Sequence, residues 1–380
     1  DTRVEVAAEL QGATAIPWEL IRDPKTDTAL ALHARAFVRA HPQPAQAPQL
    51  PQTSAGPLRI LLAICRPGGS DDVPFRSVAS QLIRGLSEAA RAAFQLDVLR
   101  PATFEQLGHA LRAAKDRGHP YHVVHFDGHG DYTEENRAQL LLSPQRAGAH
   151  GYLAFENPKV KENIQLVDGP ALGRLLVETG APVLGLNACR SAHAGLVSEP
   201  LVAAADPHSL VRAYGSLAQE VMDAGAAGVV AMRYNVYVVT AAEFVANLYA
   251  ALAEGHTLGE AVTLGRKRLH DQPLREIGSE PRPLRDWPVP VVYEAAPMAL
   301  LPKPAAAEKL VITLGGEAAR PQGLDPQLPP RPDAGFFGRD ETLLALDRAF
   351  DSQRVVLLHA YAGSGKTATA SEFARWYRLT

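Results

Sequence analysis

The sequence predicts an α/β fold, a mostly parallel sheet sandwiched by helices, followed by a linker and a short strand–loop–helix unit. Two observations predict the main body. Short, nearly continuous apolar runs recur, RILLAIC (59–65), YHVVHF (121–126), PVLGLNAC (182–189) and AAGVVAMR (226–233), as expected of strands buried on both faces. Stretches with apolar residues at helical spacing separate them, and strands alternating with helices call for parallel crossovers and a doubly wound sheet. A third observation bounds the body: Pro-rich stretches at 41–57 and about 296–332 interrupt the alternation.

Each element follows in order. Residues 41–57 read as a long surface loop, and RILLAIC as the first strand after it. Residues 74–94 form a helix with Pro74 near its start, and FQLDVLR (94–100) the second strand. Residues 103–118 form a helix opened by Thr103 with Gln106 three positions on, a capping pattern. YHVVHF is the third strand, followed by a loop, DGHGDY (127–132); LLLS (140–143) and GYLAF (151–155) read as a small hairpin or loop region. A helix over 169–180 ends in Gly180, PVLGLNAC is the fourth strand, 213–225 a helix and AAGVVAMR the fifth strand. Helices over 238–255 and 257–271 lead to a sixth strand in WPVPVVYE (287–294). Within the linker, KLVITLG (309–315) is strand-like without a place in the sheet. Beyond 332, an amphipathic helix in FFGRDETLLALDRAF (336–350) precedes a strand, RVVLLHA (354–360), a Gly-rich loop and a further helix. There are no internal repeats.

Composition narrows the function. Of 380 residues, 46% are hydrophobic and 21% charged, ordinary for a globular protein, and with a net charge of -3 nothing in the bulk electrostatics calls for nucleic acid or an anionic membrane as partner. No apolar run reaches the roughly 20 residues of a membrane span, and no secretory signal is visible. The two cysteines, Cys65 and Cys189, make no disulfide framework, so a reducing cytoplasm is the expected compartment and a lone cysteine there is inert or catalytic. The chain opens on Asp1 and stops at Thr380 inside a predicted helix, which suggests a piece of a longer protein; the composition suggests a GC-rich bacterial genome.

In open parallel sheets, reactive groups gather just beyond the carboxyl ends of the strands. His129 lies three residues past the third strand and Cys189 ends the fourth. If those strands are neighbours, imidazole and thiol approach hydrogen-bonding range. A thiol with a free pKa of about 8.5 needs little more than an imidazole to become thiolate. Gly128 and Gly130 let the backbone turn and approach a substrate, and the N–H groups of Gly130 and Cys189 would face a developing oxyanion, worth roughly 3–4 kcal/mol in comparable sites. Cys65, on an apolar strand, reads as a packed core thiol. His125, alternating with apolar neighbours, reads as a core histidine, and His109, His119 and His122 as surface or strand-edge positions. The spacing of His125 and His129 spans a strand and a loop, with no third ligand for zinc.

HFDGHG (125–130) and NACRS (187–191), some 60 residues apart, resemble the caspase-like cysteine peptidases of clan CD, most closely their bacterial branch, the CHAT domains. Residues 16–39, the helix beginning PFRSVASQL and the stretches 213–255 and 257–269 share the resemblance, which covers roughly residues 1–300. It implies a cysteine endopeptidase with a His129–Cys189 dyad, no cofactor and a protein substrate. In this family the imidazole before the last glycine is catalytic, which selects His129 over His125. Many relatives carry an aspartate just before the catalytic cysteine to bind a basic side chain of the substrate; Asn187 and Ala188 stand here, so Arg/Lys specificity is not implied. Asp127, Asp131, Asn187 and Arg233 are candidates for the substrate pocket.

AYAGSGKT (360–367) matches the phosphate-binding pattern G-x-x-x-x-G-K-[ST] except for Ala360 at its first glycine. Gly363, Ser364, Gly365, Lys366 and Thr367 would cradle phosphates, with Lys366 on the β/γ oxygens and Thr367 on Mg²⁺. With FFGRDETLLAL upstream, this region resembles the entry to STAND-class NTPases, the NB-ARC and NACHT relatives. The resemblance implies a domain order of peptidase (1–300), linker (301–332) and the start of an NTPase (333–380), with ATP and Mg²⁺ as ligands of the complete module and self-oligomerisation as its output. It implies a bacterial signalling or defence protein; an inactive caspase-like scaffold serving an NTPase switch is the alternative.

Overall fold

A computed structural model of the chain describes residues 2–7, 13, 16–40, 47–48, 50, 56–68, 93–133, 150–187, 207–233, 236–277, 280–302, 327–330, 336 and 338–379. The expected 74–94 helix, LLLS, KLVITLG and Cys189 itself lie outside these residues, apart from the last residues of that helix.

Thirteen strands are described. They are β1 (Arg3–Ala7), β2 (Ala36–Ala40), β3 (Leu58–Ile64), β4 (Phe94–Val98), β5 (Val123–Asp127), β6 (His129–Thr133), β7 (His150–Glu156), β8 (Ile164–Asp168), β9 (Val183–Asn187), β10 (Gly228–Met232), β11 (Leu274–Ile277), β12 (Glu280–Pro283) and β13 (Pro290–Glu294). The helices are α1 (Leu30–His33), α2 (Phe104–Asp116), α3 (Gly169–Thr179), α4 (Pro207–Asp223), α5 (Val238–Ala253), α6 (Leu258–Asp271), α7 (Asp340–Phe350) and α8 (Lys366–Leu379), with a 3₁₀ turn at Trp18–Leu20. Eight strands form one sheet in the order β1-β2-β13-β10-β9-β5-β3-β4, and every pairing in it is parallel except β10 with β13. The mostly parallel sheet expected from the alternation is therefore present. Its two outermost strands on one side, β1 and β2, come from the first 40 residues, where no strand was expected; β13 is the sixth strand, antiparallel to β10 and parallel to β2.

Local signals explain most boundaries. Thr103 caps α2 by accepting the Gln106 N–H, and Asp168 does the same for α3 from Ala171. Gly180 ends α3 in the left-handed conformation, φ 73°. Thr257 and Glu260 form a reciprocal capping box on α6.

The core lies on both faces of the sheet. On one face α5 and α6 pack on β2, β10 and β13 through Phe244, Val245, Leu258 and Val262; on the other, α2, α3 and α4 cover β3, β5 and β9 through Leu107, Leu176, Leu217 and Val221. β3 is buried along its whole length, because alternate residues serve the two faces.

Two expectations need correction. RVVLLHA (354–360) is not a strand: the described backbone there is irregular, with Val355 86% and Leu357 84% exposed. A strand needs a partner for its N–H and C=O groups, and no described strand lies beside this segment. DGHGDY is not a loop throughout, since β6 begins at His129 and pairs antiparallel with β7, which in turn pairs with β8. Two-stranded pairing is set by residues far along the chain, which a local glycine-rich pattern cannot show.

Candidate active site

The third and fourth predicted strands, β5 and β9, are direct parallel neighbours, with Asp127 opposite Asn187 at their carboxyl ends. His129 lies two residues beyond Asp127, and Cys189 follows Asn187 at the same interval in sequence. The turn between is held by the Gly128 N–H donating to the Asn187 carbonyl at 3.2 Å. Gly128 is required there: a Cβ would sit 2.8 Å from the Phe126 ring and 3.1 Å from the Cys65 carbonyl. His129 then opens β6, its backbone opposite Ala154 of β7. The ring-bearing residue is part-buried, and Gly130 beside it is too.

The carboxylates and cations singled out from the sequence occupy distinct places. Asp127 is buried, its Oδ1 3.1 Å from Nη2 of the fully buried Arg66. Arg66 lies two residues past the end of β3; its Nη1 also donates to the carbonyls of Asp127 (2.7 Å) and Cys65 (3.0 Å). Asn187 is buried at the end of β9. Asp131 lies in β6, its backbone opposite Tyr152. Arg233, at the end of β10, is buried and turned inward, 3.9 Å from Glu19, which also holds Arg39 at 2.7 Å and lies 3.7 Å from Arg266. Burial lowers the Arg266 pKa to about 10, with Glu19 opposing the shift.

The bystander histidines are interior groups. His125 sits in the core as its alternation implies, hydrogen-bonded through Nδ1 to the Tyr249 hydroxyl, the rings 5.9 Å apart and edge-on. Burial lowers its pKa to about 4, against a small opposing pull from Asp127. His122, expected at the surface or a strand edge, is buried, and its Nδ1 accepts the Arg59 N–H at 2.9 Å. Burial and the Arg59 charge lower its pKa to about 4. Cys65 is fully buried with Sγ 3.5 Å from the Ala102 carbonyl, and burial, aided by Glu156, raises its thiol pKa well above the usual range.

Two residues of this rim had no signal beyond an ionisable side chain closing an apolar strand: Arg66 after LRILLAIC and Glu156 after GYLAF. Glu156 ends β7, is buried, and accepts the Arg66 N–H at 3.0 Å. Among the described residues no group of three His, Cys, Asp or Glu side chains is placed to hold a metal, and no helix is long and apolar enough to cross a membrane.

The remote phosphate-binding candidates fold as a turn opening a helix. Gly363 and Gly365 are left-handed (φ 78° and 83°), and α8 starts at Lys366. Lys366 Nζ donates to the Ala360 and Tyr361 carbonyls at 2.8 Å, Arg339 Nη2 to the Ser364 carbonyl at 3.0 Å, and Thr367 is exposed.

A mostly parallel sheet flanked by helices on both faces fits a caspase-like α/β domain. The family model of the CHAT domain matches residues 8–301, and the chain belongs to that family, which is related to the caspase-like cysteine peptidases. No curated protein matches the chain.

Proposed function

We propose that the chain is a cysteine endopeptidase in which Cys189 is the nucleophile and His129 the general base. The observation that supports this reading is the β5–β9 register: Asp127 and Asn187 face each other at the ends of adjacent parallel strands, and His129 and Cys189 each follow two residues later in the sequence. His129 takes the thiol proton, and the thiolate adds to the scissile carbonyl carbon. The N–H groups of Gly130 and Cys189 receive the oxyanion, and the imidazolium returns its proton to the leaving amine. Water then releases the acyl group from sulfur. Asp127, committed to Arg66, and Arg233, turned toward Glu19, are poorly disposed to line a substrate pocket. Asp131 and Asn187 are the remaining candidates.

The same reading makes residues 333–380 the beginning of a nucleotide-binding module, separated from the peptidase by the 301–332 linker, that regulates peptide cleavage in a bacterial signalling or defence protein. The left-handed glycines and the Lys366 ammonium held over the loop carbonyls support a phosphate cradle, which ATP with Mg²⁺ at Thr367 would fill in a complete module. Replacing Lys366 by Ala should then abolish ATP binding to a chain carrying that module, read by equilibrium dialysis.

Cleavage is tested with the Cys189→Ala and His129→Ala variants, scored on partner proteins and on the chain itself. Loss of cleavage in the first and a drop of roughly 10²–10⁴-fold in the second are expected, the range of general-base catalysis. Unchanged cleavage by Cys189→Ala sinks the assignment. A thiol probe that labels Cys189 no faster than a free thiol favours an inactive scaffold instead.

A further inference from the structure

Helices α7 and α8 dock on the body beside the carboxyl ends of β3 and β4. Leu343, Leu344, Leu346, Phe373 and Trp376 form one buried cluster with Leu62 and Ile64 of β3. Around it, Arg100 Nε meets Asp347 at 3.0 Å, and the Arg100 guanidinium lies 4.6 Å over the Tyr377 ring. At the end of this contact Arg348 enters the catalytic rim. Its Nε and Nη2 reach the two oxygens of Glu156 at 3.2 and 3.1 Å, and Nη2 also donates to the Arg66 carbonyl at 2.8 Å.

The chain of contacts brackets His129 from both sides. Glu156 lies two residues beyond Ala154, the β7 residue opposite His129. Arg66 takes Glu156 on its N–H and Asp127, two residues before His129, on its guanidinium. We propose that Arg348 is a positioning residue for His129: segment 340–379, when docked, holds the β6–β7 strand pair in register through Glu156 and Arg66, and its release loosens the strand that carries the histidine. The proposal rests on the reading of His129 as the catalytic base, but the contacts and their test do not require cleavage. The physical ground is the Glu156 carboxylate, whose side chain is only 8% exposed. A nearly buried carboxylate gripped by a guanidinium fork loses much when that fork is withdrawn, and the strand it ends is free to fray.

The test is hydrogen exchange on the whole chain, comparing the parent with Arg348→Ala, Arg348→Lys, Glu156→Gln and the double variant Arg348→Ala/Glu156→Gln. Arg348→Ala should speed exchange of the β6 and β7 amides about tenfold while β9 and β10 amides keep their rates. Arg348→Lys should fall between, because an ammonium restores the charge but not the two-pronged grip. The double variant should be no looser than the looser single one, since both remove the same contact. Unchanged β6–β7 exchange in Arg348→Ala and Arg348→Lys overturns the proposal. So does an equal rise in β9 and β10, and so does additivity of the two single changes. If Cys189→Ala leaves cleavage intact while these exchange rates behave as expected, the peptidase reading fails and the positioning of β6 stands.

Discussion

Cys65 and His125 show what burial beside the sheet does to ionisable side chains. Cys65, just past the end of β3, is fully buried, and burial keeps its thiol protonated; Cys189 follows the end of β9 by two residues in the sequence. A haloacetamide at neutral pH should modify Cys189 in the folded protein and reach Cys65 only in denaturant, as read by peptide mass mapping; prompt labelling of native Cys65 would contradict its burial. His125 carries a second prediction. Its pKa is about 4 in the fold against about 6.5 unfolded, so between those values the unfolded chain binds the extra proton. The stability it contributes is complete above the unfolded value and is lost as pH falls toward about 4. His122 acts in the same sense. Urea midpoints measured from pH 7 to 4.5 should therefore fall, and less steeply in His125→Gln; an identical slope would show that His125 does not titrate in this way.

At the scale of elements, close approach decides more than propensity. Helices α3 and α4 cross at Gly173, where a Cβ would stand 2.6 Å from the Ala224 Cβ and 3.0 Å from the Val221 carbonyl. Alanine is the better helix former by about 1 kcal/mol, yet Gly173→Ala should destabilise by about 1–3 kcal/mol because backbone and methyl cannot both give way. The urea midpoint is the measure, and a rise in it would refute the crossing. Gly128 and Gly180 were readable as turns, but nothing local distinguishes Gly173 from a weak helix position. The β6–β7 pairing was hidden for a similar reason: its partners are separated in sequence by residues 134–149, and only the ladder shows that HGDYT is extended.

For the whole molecule, one buried carboxylate ties together distant parts of the chain. Glu19, in the N-terminal arm, faces Arg39 of β2, Arg266 of α6 and Arg233 after β10. Glu19→Gln keeps the shape but leaves three buried guanidinium groups without that charge, so a loss of about 3–5 kcal/mol is expected, far above a surface ion pair. Thermal unfolding checks it, and a shift of under a degree would mean that the cluster is hydrated. The exposed Val355 and Leu357 belong to this scale as well. RVVLLHA has the composition of a central strand, and composition alone cannot provide the neighbouring strands that would make it one.

The alternation of β3, β4, β5, β9, β10 and β13 with helices, the Thr103 cap of α2, the Gly180 end of α3 and the spacing of His129 and Cys189 were all determined by the sequence, because apolar period, capping side chains and motif spacing act within a few residues. Tertiary structure alone decided that β5 and β9 are neighbours in the register Asp127–Asn187, that β1 and β2 extend the sheet, and that Asp127 is committed to Arg66. It also decided that Glu156 meets Arg348 across 192 residues of chain. Such contacts are fixed by which surfaces exclude water together and which buried charges find a counterion, and neither is written in any local window of residues.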